Sequence, residues 1–232
     1  MSKISPASRL LTQTARDVLR PLGLKQHGSS RIWLDDHNWW LVVVEFQSAT
    51  SIQGSYLNVG AMWLWRSPAV IGFDTALASS VRVRDHIDYR DDTQFTKAAR
   101  SLATTAADQV EAYREHFSTL PAVAEHLESR LTRKSTIWDW YHAAVAAGML
   151  GDVKRSRACF QKVLDDPDGK GASPFSWVTE LQERVRRPYD MVRDSDAFRA
   201  WARDQILSCR GQLNLGSPTR APFEPAEPLD RM

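Results

Sequence analysis

The chain is poor in the features that mark several protein classes. It has two cysteines, Cys159 and Cys209, in 232 residues. That excludes a disulfide scaffold and a cysteine-rich zinc site. No run of 18 apolar residues occurs, and the first 16 residues, MSKISPASRLLTQTAR, contain no apolar stretch. The expectation is a protein with no membrane segment and no secretory leader, in a reducing cytoplasm. Neither sign of charge dominates: 30 Lys and Arg stand against 28 Asp and Glu. This near-balance argues against non-specific attraction to nucleic acid. Phosphate-loop, dinucleotide-fingerprint and serine-elbow glycine patterns are also missing.

What is present reads as α+β. Residues 5–22 form a helix, opened by Ser5-Pro6 and closed by Gly23, with Leu11, Ala15, Val18 and Leu22 at helical spacing. The period then shifts to two. Residues 31–34, 39–48 and 56–65 read as sequential strands, separated by Asp35–Asn38 and by Thr50–Gly54. Residues 81–89, VRVRDHIDY, alternate as a fourth strand. The expectation is an antiparallel meander of three or four strands. Helical periodicity resumes at Thr93, in segments 93–117, 121–133, 136–150, 153–164, 175–187 and 195–210. Three regions follow from this: an α+β domain over 1–133, a helical extension over 134–210, and a tail without fixed structure over 211–232.

Alternation divides each strand into two faces. Glu45 and Gln47 share one face of the second strand, and Tyr56 and Asn58 one face of the third. A hairpin that joins these faces makes a polar cluster able to bind a ligand or a partner. Glu45 is then a candidate general base, beside Trp39 and Met62. The weaker candidates fail on composition or spacing. Six histidines (27, 37, 86, 116, 126 and 142) form no metal-binding helical pair. Asp85, His86, Asp88, Asp91 and Asp92 are dense in ligand types but read as a solvated loop. Asp139 and His142, three apart on a helix, supply only two ligands. In the 165–174 loop, Lys170 and Trp177 fall where a calcium loop needs oxygen ligands. Arg184, Arg186 and Arg187 could touch phosphate, but acidic residues surround them. Cys159, on an apolar helical stripe, reads as a small buried hydrophobe.

The segment FQSATSIQGSYLNVG (46–60) resembles an uncharacterised bacterial family, number 4304 among the domains of unknown function. The resemblance runs over about 5–130. It is carried by Pro21-Leu22-Gly23-Leu24, the strand pair around Trp33 and Trp39, Gln47-Ser48-Ala49, and Asn58-Val59-Gly60. It implies a small α+β domain and brings no activity with it. Residues 141–166 are similar to one tetratricopeptide helical hairpin, with Ala144, Ala147, Gly151 and Ala158 at the matching places and no second copy.

Nine tryptophans are an aromatic surplus, and aromatic side chains are enriched at protein interfaces. With no catalytic signature and no cofactor motif, the leading expectation is a non-catalytic protein-binding module, immunity-like or defence-associated. Its alternative is a small-ligand binder or enzyme built on Glu45, Gln47, Tyr56 and Asn58.

Overall fold

The computed structural model describes residues 5–49, 53–66, 70–166 and 175–219. The chain divides into two compact units. One comprises Met1–Met62 and Val70–Glu115; the other comprises Trp63–Ala69 and His116–Met232.

The first unit opens with α1 (Pro6–Leu19), whose N-cap Ser5 accepts a hydrogen bond from the Ser8 amide at 3.2 Å. Its buried stripe is Ala7, Leu11, Ala15 and Leu19. A single 3₁₀ turn, Arg20–Leu22, ends on Gly23 at φ +91°, which glycine adopts freely. Five strands follow: β1 (Lys25–Gln26), β2 (Ile32–Asp36), β3 (Trp40–Glu45), β4 (Gly54–Trp63) and β5 (Arg82–Asp88). They form one antiparallel sheet in chain order, so β1 and β5 are its edges. The expected meander is therefore present, with two-residue β1 added to it.

The β2–β3 register pairs Ile32 with Glu45 and Leu34 with Val43, which fixes the faces. Trp33, Asp35, Val42 and Val44 lie on one side; Leu34, Leu41, Val43 and Glu45 lie on the other. The β2–β3 turn is held by Asp36, which accepts from the Asn38 amide at 2.9 Å while Asn38 takes φ +69°. Helix α2 (Asp92–His116) buries Phe95, Ala99, Leu102, Ala106, Val110 and Tyr113. The Tyr113 hydroxyl accepts from the Leu77 amide at 3.0 Å and donates to the Val59 carbonyl at 3.2 Å. Residues 73–80 form no helix; Thr75 makes an isolated bridge to Ala61. That approach needs Gly60, where a Cβ would stand 2.7 Å from the Phe73 ring.

The second unit is helical: α3 (Leu120–Ser129), α4 (Ile137–Met149), α5 (Val153–Leu164), α6 (Ser176–Met191) and α7 (Ser195–Gln212). Helix α4 starts on a capping box between Thr136 and Asp139 and is buried from Tyr141 to Met149. Small residues let its neighbours come close. The Ser156 hydroxyl of α5 donates to the Ala144 carbonyl at 2.8 Å, and a Cβ at Gly148 would meet the Phe198 ring of α7 at 2.5 Å. Residues 141–166 are thus an antiparallel hairpin turning at Gly151, φ +80°. Among the described residues no helix is long and apolar enough to cross a membrane. Most of the 165–174 loop and residues 220–232 of the expected tail lie outside the described residues.

Candidate functional site

The four residues singled out by alternation meet. The Asn58 side-chain amide donates to Glu45 Oε2 at 2.8 Å and to Gln47 Oε1 at 3.1 Å. The Tyr56 amide donates to the Gln47 carbonyl at 2.9 Å, which sets β4 against the end of β3. Asn58 itself is buried, whereas Glu45 and Tyr56 are half-buried and Gln47 is exposed.

Two further residues from β5 complete the cluster. Arg82 pairs with Asn58 across the β4–β5 ladder. Its Nε donates to Asn58 Oδ1 at 2.7 Å and its Nη2 to Gln47 Oε1 at 2.8 Å. Its guanidinium lies 3.9 Å from the centre of the Tyr56 ring, a cation–π contact. His86 packs on the same ring with centroids 4.8 Å apart, and its Nδ1 bonds Asp88 at 2.8 Å. Its Nε2 is buried and has no hydrogen-bond partner among the described residues. That placement depends on Gly54 at φ +149°, where a Cβ would stand 2.2 Å from the Ile87 carbonyl oxygen and 2.9 Å from His86 Nε2.

The arrangement is held at its centre by Asn58. Asn58 has both amide hydrogens and its oxygen engaged, so it holds the other side chains still. Arg82 is exposed, and its Nη1 makes no hydrogen bond to any described residue. A fixed guanidinium edge facing outward suits a carboxylate. Glu45 accepts from Asn58 through one carboxylate oxygen, Oε2.

The other candidates are occupied in the fold. Asp92 accepts from the Tyr89 hydroxyl at 2.6 Å and from Arg9 at 3.5 Å, and Asp91 caps α2 through the Gln94 amide. Asp139 belongs to the α4 capping box, and His142 Nδ1 accepts from Trp65 Nε1 at 3.0 Å. Among the described residues no group of three or more His, Cys, Asp or Glu side chains converges as a metal site would require. Burial pushes the Cys159 thiol up to about 11, which keeps it protonated and unreactive. His116 Nε2 lies 3.0 Å from His126 Nδ1, and burial, then the charges of His116 and Arg130, push His126 down to about 4. The tryptophan surplus goes largely inside: Trp33, Trp39, Trp40, Trp63 and Trp65 are all buried.

A second polar cluster was not readable from the sequence. Asp35 is buried, and burial alone would raise its carboxyl. Hydrogen bonds from His37 at 2.7 Å and from Arg114 of α2 at 2.8 and 2.9 Å hold it down at about 2 instead. Arg114 also donates to the Leu22 carbonyl at 2.7 Å, tying the end of the first helical segment to the sheet. No protein-family model, curated protein or solved structure was found to match the sequence, so the reading of function rests on these geometries alone.

Proposed function

We propose that the protein is a non-catalytic protein-binding module, and that it takes an acidic side chain of its partner on the sheet face at Arg82. The observation that carries this reading is the posture of Arg82. It is exposed, yet two hydrogen bonds and the Tyr56 ring fix its guanidinium in one orientation. Arg and Tyr are the residue types that dominate binding hot spots, and a side chain already ordered loses little entropy when a partner arrives. Arg84, exposed on the same edge strand with no side-chain partner among the described residues, adds a positive charge to it.

The test is affinity purification of the tagged protein from its native host, run in parallel with Arg82→Ala and with the exposed-charge control Lys97→Ala. The expected result is a stoichiometric protein held by the wild type and the control, weakened by added salt, and released by Arg82→Ala. A partner retained by Arg82→Ala, or no partner at all, overturns the reading.

A further inference from the structure

The second unit holds a cavity of about 380 Å³ between α6 and α7, within the ~300–1,000 Å³ range of small-molecule sites. Tyr141 of α4 and Leu181 of α6, both buried, form part of its lining, and Trp201 of α7 adds a half-buried indole ring. The Tyr141 hydroxyl is already spent on the Trp65 carbonyl at 3.0 Å, so Tyr141 offers the cavity chiefly its ring. Arg184 also lines the space, with its Nε on the Glu180 carbonyl at 3.2 Å.

The unusual feature is a pair of charges that do not meet. Glu183 and Arg187 stand four apart on α6 with the acid toward the N-terminus, the spacing and order that ordinarily favour an ion pair. They form none, and neither side chain bonds any other described residue. Both line the cavity. The amide of Gln205 from α7 lines it too and likewise has no partner among the described residues. The cavity therefore combines an open carboxylate, an open guanidinium and an amide with an apolar, aromatic lining.

From this we infer a binding site for a free α-amino acid with an apolar or aromatic side chain. Such a molecule carries an ammonium and a carboxylate on one carbon. Two helix positions with Cβ atoms ~5–6 Å apart can engage both groups at once. Glu183 takes the ammonium, Arg187 and Gln205 take the carboxylate, and the side chain lies against Tyr141, Leu181 and Trp201. This site is separate from Arg82 and does not depend on the proposed partner.

Calorimetric titration of the full chain decides the matter, with L-phenylalanine, its amide and its N-acetyl derivative as probes. Glu183→Gln and Arg187→Gln are titrated alongside. Both positions are exposed on a helix, so the fold is kept, and circular dichroism verifies it. Expected is saturable binding of L-phenylalanine with a Kd of roughly 0.1–1 mM, weakened about tenfold for each blocked derivative. Arg187→Gln loses the preference for phenylalanine over its amide, and Glu183→Gln loses the preference over the N-acetyl form. Three results each overturn the inference: no saturable binding below about 10 mM, blocked derivatives that bind as well as the free amino acid, or variants that keep both preferences.

Discussion

The sheet carries two polar clusters on opposite faces, and they use similar parts differently. Asp35 and Glu45 are each an acid on a central strand, each tied by hydrogen bonds into a cluster that contains an arginine and a histidine. At Asp35 the arginine comes from a helix and is drawn in to a buried carboxylate, so charge neutralises charge where water is excluded. At Asn58 a neutral amide sits in the middle, and the arginine comes from the edge strand with one face left to solvent. A buried acid with its arginine fastens elements together; a buried amide leaves the arginine's charge available.

Breaking the first cluster costs most. Arg114→Ala leaves the Asp35 carboxylate buried and without the two hydrogen bonds that Arg114 gives it, and about 3 kcal/mol of unfolding free energy is expected to go, read by urea denaturation. Acid probes the same contact. A carboxyl at about 2 in the fold and at its ordinary 3.8 unfolded binds fewer protons when folded. Its contribution is thus complete above about pH 5 and is lost as pH falls through about 2, a change on the order of 2 kcal/mol. Asp35→Asn should flatten that part of the stability–pH curve; a curve unchanged in the variant contradicts the assignment.

The second cluster should give smaller effects. Asn58→Ala strands the Arg82 Nε and unlocks Glu45 and Gln47, for about 1–2 kcal/mol by thermal or urea unfolding. Arg82→Ala is expected to change stability by less than about 0.5 kcal/mol while abolishing partner capture, because the exposed arginine adds little to the fold. If Arg82→Ala instead destabilises as much as Arg114→Ala, the contrast between the two faces disappears.

The elements were largely legible because their signals are local. Ser5-Pro6, Thr136 and Gly151 mark ends that the caps and turns of the structure reproduce, whereas the part Asp139 plays in the α4 capping box was not read from the sequence. The grouping of Glu45, Gln47, Tyr56 and Asn58 followed from alternation alone. Arg82 was missed for a physical reason. Register shifts between Ser55 and Asn58 break the simple count along β4 and β5, so alternation does not reveal which β5 residue faces Asn58. Two-residue β1 is too short to alternate at all. Asp35 and Arg114 are 79 positions apart, and Glu183, Arg187 and Trp201 converge only when α6 packs on α7. No local pattern encodes such meetings.

The open side of β5 has a consequence of its own. An edge strand offers unpaired peptide groups on which another extended chain can template itself, the first step toward insoluble aggregates. Along this strand Arg82, Arg84, Asp85 and Asp88 are exposed, and charges of both signs hinder a second strand from docking in any register. The arginine proposed for recognition therefore also guards this edge against pairing with a second strand.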